Sequence, residues 1–324
     1  MGNTSSSIQS ARLRFLQNQL NNVDLVSPSV KHDILDIKKR RCYTNLVLSG
    51  GNTGVCGSIR AYAAVGALEY LESHHYLNNI KNIAGAGYGS IFVMLFAIGY
   101  STGEIRKIAE TMDIDRSSVS SLDSDLETWG LRIHTEFQGD AGHHLMNTIA
   151  TLIEKRTGYR DYTLEQLWKE RGINLVISAT SLTEGIPVYY TRNKYGNIPI
   201  RILIRISCSI PMIYSPVTFN EQLLVAGGLL DPTPVNQFDS NVITPYTLAI
   251  AFPDQSSPIL RPITNVTQYH QTLFSTLINK GTYIKPSVWL RTIAINTDHV
   301  DREYLFQGGY RAAEEYFKCS DVVF

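Results

Sequence analysis

The pattern of apolar and polar positions predicts strands that lead through glycine turns into helices. Residues 44–48 form a short apolar run that ends at a Ser-Gly-Gly turn, and residues 60–74 then have the spacing of an amphipathic helix. A second apolar run, 83–84, enters the glycine-rich turn 85–89, and an uncharged segment of helical length follows. Because this strand-turn-helix unit is repeated, we expect βαβ connections and a parallel sheet.

Later patterns extend this prediction to the end of the chain. We predict helices at 102–112, 143–157, 164–171 and 308–318. We predict strands at 175–179, 187–191, 223–228 and 248–252, and over the first part of 198–209. Thr102 and Thr163 are candidate helix N-caps, whereas Pro28 is expected to interrupt the pattern around it. The segment 83–100 is uncharged enough to suggest a membrane span, but three glycines spaced by two favour a strand-turn-helix.

Composition adds limits on the class of protein. With 324 residues and 44% hydrophobic content, the chain is expected to form one large domain, 43–324, after a polar extension, 1–42. The 29 acidic and 29 basic residues balance, so no nucleic-acid partner is expected. Four scattered cysteines indicate neither a zinc site nor a disulfide framework, which favours a reducing, cytoplasmic location.

The first residues suggest lipid attachment. Met1 and Gly2 followed by Ser6 fit the pattern for N-myristoylation of Gly2, although a disordered tail is the alternative. One myristoyl chain binds membranes only reversibly, so a second signal is normally needed. The basic run 38–41 is a candidate for that signal; its alternative interpretation is a solvated helix end. We therefore predict peripheral membrane association through N-myristoyl Gly2.

The glycine turn at 85–89 has the layout of a nucleophile elbow, G-x-S-x-G. Gly87 occupies the position of the serine. An acyl hydrolase also needs backbone N–H groups aimed at the oxyanion, and the turn that begins at Ser49 could supply them. The two standard phosphate-binding signatures are absent from the sequence.

Several sequence blocks in one order make a family resemblance specific. They are LVLSGG, GALEYLE, IAGAGYGSI, RISCSIPMIYSPV and LLVAGGLLDPTPV, with FQGGYRAAEEYF at the end. Over residues 45–317 the chain resembles the patatin-like phospholipases. The resemblance implies an α/β, three-layer fold with a central, mainly parallel sheet and helices on both faces. In working members it also implies a Ser-Asp dyad that hydrolyses lipid acyl esters without a metal or another cofactor.

Carried over position by position, the resemblance places the nucleophile on Gly87 and the aspartate on Ala226. Both reactive side chains are therefore missing. The oxyanion loop can be aligned in two ways. Gly50 and Gly51 fit its opening, with Asn52 in place of a third glycine, whereas counting back from the following helix places the family's basic residue on Arg60.

Other residues were considered as replacements for the lost serine. Ser90 is expected to form a hydrogen bond at the start of the helix, and Tyr88 has no evident base. Asp231 is expected to stabilise the turn before Pro232. Cys56 is the thiol nearest the glycine loop in sequence, with an incidental cysteine as the alternative.

Three functional interpretations follow. The first is a pseudoenzyme that binds membrane lipid, an acyl chain or a protein partner at a membrane. The second is an enzyme of the phospholipase A type, either an engineered inactive copy of an active hydrolase or one that uses Cys56 or Ser90. The third is a scaffolding protein without a ligand. The sequence predicts no oligomeric state.

Overall fold

The computed structural model of the protein describes residues 28–50, 55–112, 142–211, 214–238, 245–252, 292–295 and 301–318, and at 28–31 and 55–60 the backbone only. Several predicted features lie outside the described residues. These are the acylation signal at Gly2, the loop residues Gly51 and Asn52, the polar stretch 113–140, and the side chains of Cys56 and Arg60.

The described helices and strands alternate along much of the chain. In order they are α1 (Pro28–Arg40), β1 (Asn45–Leu48), α2 (Val55–Ser73), β2 (Asn82–Ala86), α3 (Gly87–Ala97), α4 (Thr102–Thr111), α5 (His143–Thr157), α6 (Leu164–Arg171), β3 (Asn174–Ser181), β4 (Ile186–Tyr190), α7 (Arg192–Tyr195), α8 (Ile200–Ser207), β5 (Val217–Phe219), β6 (Gln222–Ala226), β7 (Thr247–Ala251), β8 (Thr292–Ala294) and α9 (Arg302–Lys318). Short 3₁₀ turns follow β6 at Gly227–Leu229 and precede β7 at Val235–Gln237.

One mixed sheet organises these elements. Each strand in the path β5-β6-β3-β2-β1-β7-β8 is hydrogen-bonded to the next, and β4 pairs with β3 outside this path. The central pairs β3-β2, β2-β1, β1-β7 and β7-β8 are parallel, whereas β4 and β6 run antiparallel to β3. The predicted α/β class with a mainly parallel sheet is therefore confirmed.

Side-chain alternation divides each central strand between two faces of the sheet. Leu46 and Leu48 of β1 belong to the large core that includes α2, α3 and α8. Val47, between them, packs on the opposite face with Ala84 and Val235. Strands buried on both faces are typical of parallel sheets, which explains why these strands read as continuous apolar runs.

Helices α2 and α9 pack unusually closely through two glycines. A Cβ atom on Gly66 would overlap the backbone oxygen of Phe306, and a Cβ on Gly309 would overlap the backbone oxygen of Ala63. The rings of Tyr62 and Phe306 pack edge to face beside this crossing, with their centroids 6.0 Å apart. Helix α9 begins at Arg302, six residues before the predicted start, so this contact includes a turn that the sequence analysis missed.

The prediction that Pro28 interrupts regular structure was wrong. Pro28 is the first residue of α1, where a proline fits because its missing N–H would have no helical partner. Helix α1 buries Ile37 in the main core, and the Lys38 ammonium lies 3.8 Å from the centroid of the Tyr316 ring. The basic run 38–41 covers the end of this helix, as its alternative interpretation expected.

Two helix starts test the predicted caps. Thr163 does cap α6: its hydroxyl accepts from the Gln166 N–H, and the Gln166 side chain accepts from the Thr163 N–H in return. Thr102 does not cap α4, because the capping box belongs to Ser101 with Glu104.

The prediction of a strand at the start of 198–209 was also wrong, because residues 200–207 form helix α8. The sequence IRILIRIS fits both a period of two and a helical period. Ile200, Leu203, Ile204 and Ser207 are all buried, which is the i, i+3, i+4, i+7 face of a helix. Among the described residues, no helix is both long enough and apolar enough to cross a membrane.

Candidate functional site

A sharp strand-to-helix turn forms at the predicted elbow. Strand β2 ends at Ala86 in an extended conformation, and helix α3 begins at Gly87, three residues earlier than predicted. Gly87 has a φ of +50°, in the left-handed region where a side chain is strained. Gly89 is needed for close packing, because a Cβ there would lie 2.5 Å from the Ser49 backbone oxygen. The backbone therefore has the turn that a nucleophile elbow requires.

The elbow has room for a side chain at position 87. A Cβ atom built there would lie 3.5 Å from the Gly50 Cα and 3.9 Å from the Ser207 backbone oxygen, which are ordinary contact distances. Crowding therefore does not explain why residue 87 is a glycine. Among the described residues, nothing crowds an added Cβ atom, so only the positive φ opposes it, at a cost of about 1–2 kcal/mol.

The sheet brings Ala226 beside this elbow. Residues 179–181 of β3 pair with both β4 and β6, and residues 177–178 pair with both β4 and β2. Strands β2 and β6 must therefore share the edge of β3 that β4 does not occupy. Ala86 pairs with Ser178 and Ala226 pairs with Ala179, so β2 ends where β6 ends.

The segment 207–209 contacts both positions. The Gly87 N–H donates to Ser207 Oγ at 3.0 Å, and the Cys208 thiol donates to the Gly87 carbonyl at 3.3 Å. On the other side, the Ala226 N–H donates to the Ser209 carbonyl at 2.9 Å. The two positions predicted to have lost the dyad thus both contact one short, buried segment, 207–209.

The described part of the glycine loop packs directly on the elbow. A Cβ atom on Gly50 would overlap the Ala86 carbonyl oxygen, so only glycine fits there without a backbone shift. The Gly50 N–H donates to the Pro232 carbonyl at 3.3 Å. Because Gly51, Asn52 and the Arg60 side chain lie outside the described residues, both alignments of the oxyanion loop stay predictions.

Hydroxyl and thiol groups near Gly87 are engaged with its backbone. Ser90 is fully buried, and its hydroxyl donates to the Gly87 carbonyl at 2.5 Å, which is the helix-start role expected for it. Cys208 is also fully buried, and this burial raises the pKa of its thiol to about 12. A thiol with such a pKa is not a nucleophile at neutral pH.

A hydroxyl-carboxylate pair lies close to the glycine loop. Tyr189 Oη donates to Asp231 Oδ2 at 2.6 Å, and Asp231 Oδ1 accepts from the Thr233 N–H at 3.3 Å, which stabilises the turn at Pro232 as predicted. Burial and then the Asp231 charge raise the pKa of Tyr189, and burial raises the pKa of Asp231. The phenol therefore stays protonated at neutral pH and is a poor nucleophile.

Arg205 is a buried cation that the sequence analysis missed. Its guanidinium donates to Ser209 Oγ at 2.5 Å and to the Ser215 carbonyl at 3.0 Å. It also lies over the Tyr214 ring, 5.3 Å from the centroid. These bonds hold the segment 207–209, which contacts both Gly87 and Ala226. No local sequence signal distinguishes Arg205 from Arg201 on the same helix, because burial depends on contacts far along the chain.

Metal binding has little support in the described residues. Across 28–50, 55–112, 142–211, 214–238 and the shorter described segments, no three His, Cys, Asp or Glu side chains come together as a metal site would require. The expectation that the protein uses no metal or other cofactor stays a prediction.

Comparisons with known proteins identify the family. The sequence model of one family, described as Patatin-like phospholipase, matches residues 46–239, which include the elbow and Ala226. The chain belongs to this family. This patatin-like phospholipase domain protein is 31% identical to uncharacterized protein R571 of Acanthamoeba polyphaga mimivirus, over 84% of its own chain and 92% of that relative.

Another relative and a solved structure are also similar to this chain. The protein is 24% identical to a probable lipid hydrolase, 463L of Invertebrate iridescent virus 6, over 61% of its chain and 64% of that relative. Among solved structures, VipD from Legionella pneumophila matches with a TM-score of 0.55 and 14% identity, covering 86% of this chain and 67% of VipD. At that identity the likeness supports the patatin-like fold alone.

Proposed function

We propose that this patatin-like phospholipase domain protein is a pseudoenzyme that binds lipid. One observation carries the proposal. The elbow keeps its positive φ and space for a side chain at residue 87, yet Gly87 and the adjacent Ala226 offer no reactive group. These features support a lipid acyl hydrolase framework without the hydroxyl and carboxylate that the family resemblance implies.

The expected loss of activity is large. Removing the nucleophile of a serine hydrolase lowers turnover about a million-fold. Two described neighbours are unsuited to replace the serine, since Ser90 and Cys208 both bond to the Gly87 carbonyl. We infer that such a site holds a lipid or its acyl chain.

Membrane attachment through N-myristoyl Gly2 is part of the proposal. The basic run is a poor second membrane signal, because three of its four side chains have partners within the protein. Lys38 lies over Tyr316, Arg40 pairs with Asp36, and Arg41 donates to the His74 carbonyl. A protein partner remains an alternative ligand for the same site.

Restoring the dyad tests the proposal. The unmodified protein is expected to hydrolyse a chromogenic acyl ester no faster than buffer with inert protein, whereas Gly87→Ser with Ala226→Asp is expected to gain at least about a hundred-fold. Gly158→Ser is the matched control, because Gly158 also has a positive φ, with no atom within 4 Å of an added Cβ. Each single restoration is expected to stay near background.

Two further measurements complete the test. Fluorophosphonate and iodoacetamide probes should leave residues 56 and 90 unlabelled in the unmodified protein, since labelling at Cys56 or Ser90 would support an enzyme with another nucleophile. Mass spectrometry of the natural product should detect a co-purified lipid and the myristoyl group. Hydrolysis by the unmodified protein above background would refute the pseudoenzyme proposal, and the absence of any bound lipid would favour a scaffold.

A further inference from the structure

The hairpin between β3 and β4 presents large apolar side chains to solvent. Leu182 is 53% exposed and Ile186 is 47% exposed. Within the described residues, the other exposed large aliphatic side chains are Leu35 and Leu230. Single exposed apolar residues are common on soluble proteins, so the position of this pair decides whether it has a use.

The tip of this hairpin lies beyond the elbow, at the same edge of the sheet. Strand β3 is level with the end of β2 at Ser178, which pairs with Ala86. It continues to Ser181, and Leu182 follows. At about 3.3 Å per residue, the tip is about 13 Å beyond the end of β2, on the side where the parallel strands end. An acyl chain that approached the elbow from this edge would pass the hairpin.

Backbone hydrogen bonds stabilise the tip. Ser181 accepts from the Glu184 N–H through its hydroxyl and from the Gly185 N–H through its carbonyl. Leu182 and Leu223 are linked as well, since the Leu182 N–H donates to the Leu223 carbonyl at 2.8 Å. Pairing of these three N–H groups lowers the cost of taking the turn out of water, which suits contact with lipid.

The charge of this region indicates the kind of lipid surface. Residues 181–187 and the neighbouring β5-β6 hairpin, 217–224, contain no lysine or arginine. They do contain Glu184 and Glu221, both exposed. An anionic membrane would repel these carboxylates, whereas a zwitterionic surface would not.

We propose that the β3-β4 hairpin docks the protein on a zwitterionic lipid surface, with Leu182 and Ile186 inserted among the lipids. The inference rests on the proposed function, because docking at this edge would bring the elbow to its lipid. It places the second membrane signal on apolar side chains near the elbow, and not on the basic run of α1.

Vesicle binding tests the docking surface. Protein made without N-myristoyltransferase is titrated with phosphatidylcholine vesicles, with and without phosphatidylserine. Leu182→Ser with Ile186→Ser is expected to bind phosphatidylcholine about 30-fold more weakly, equivalent to about 2 kcal/mol, because the exposed half of each side chain is no longer buried. The matched control is Leu35→Ser with Tyr304→Ser, which removes exposed apolar groups from α1 and α9 and is expected to bind unchanged.

A second variant guards against an effect of misfolding. Leu182→Trp should fold normally and shift its fluorescence to shorter wavelength when phosphatidylcholine vesicles are added. The proposal is overturned if the unmodified protein does not bind these vesicles, if the serine pair binds as tightly as the control, or if phosphatidylserine strengthens binding.

Uptake of a soluble fluorescent fatty acid separates this inference from the proposed function. If the hairpin is the docking surface of a lipid-binding elbow, the serine pair at 182 and 186 should take up the soluble probe normally while losing vesicle binding. If vesicle binding depends on the hairpin but no variant takes up the probe, the docking surface stands and the proposed lipid site at the elbow fails.

Discussion

Two glycines that face each other at the elbow should respond differently to an added methyl group. The perturbations are Gly87→Ala and Gly50→Ala. At Gly87 the methyl group has space, with its nearest described neighbour 3.5 Å away, and only the φ of +50° opposes it. A left-handed alanine costs about 1–2 kcal/mol, so the expected loss of stability is of that size.

At Gly50 the obstacle is backbone that cannot rotate away. The added methyl group would overlap the Ala86 carbonyl oxygen and lie 3.1 Å from the Gly87 nitrogen. Overpacking of this kind costs about 1–3 kcal/mol. The movement that relieves it would also strain the bond from the Gly50 N–H to Pro232, worth about 1 kcal/mol. We therefore expect Gly50→Ala to lose about 2–4 kcal/mol.

Thermal and urea unfolding measure the difference. At about 2 °C per kcal/mol for a domain of this size, Gly87→Ala should lower the Tm by about 2–4 °C and Gly50→Ala by about 4–8 °C. Gly158→Ala is the control for backbone strain, because its φ is +81° and nothing lies near an added Cβ. It should match Gly87→Ala. If Gly50→Ala were no more destabilised than Gly87→Ala, the glycine loop would not pack on the elbow as described. The proposal of a hydrolase framework at the elbow would then lose this structural support.

The remaining predictions concern stability. Gly309→Ala should lower the free energy of unfolding by about 1–3 kcal/mol, because its methyl group meets the Ala63 carbonyl. Gly308→Ala has open space and better helix propensity, so it should raise that free energy by up to about 1 kcal/mol. Urea titration of both variants measures the difference, and equal effects would contradict the close contact of α2 and α9. Burial raises the pKa of Asp231 in the folded state. The Asp231 carboxyl therefore adds stability below its unfolded-state pKa, and this stability is lost as pH rises through its folded-state pKa. Unfolding between about pH 4 and about pH 8 should thus show the unmodified protein losing stability relative to Asp231→Asn; parallel pH profiles would remove this account of the buried carboxyl.

The elbow was predictable from sequence because its determinants are local. Glycines at 85, 87 and 89 allow a tight turn wherever a strand runs into a helix, and the apolar runs on both sides fix the two elements. The position of Ala226 beside Gly87 required a family resemblance, since only the sheet joins them.

Other features could not be read from the sequence. Helix α8 was predicted as a strand in its first part because isoleucines at alternate positions fit both periods, and the choice depends on what each side chain meets in the folded protein. The bond from the Gly87 N–H to Ser207 and the burial of Arg205 likewise depend on distant contacts. Pro28 was misjudged because a proline opens a helix as readily as it interrupts one.

The glycine contact between α2 and α9 also has a consequence for biosynthesis. Helix α2 leaves the ribosome early, yet the groove at Gly66 is filled only when Phe306 has been synthesised. Until then, a chaperone could occupy the uncovered apolar surface of α2. Released chains that stop before residue 302 should therefore be protease-sensitive, whereas chains that include α9 should be resistant.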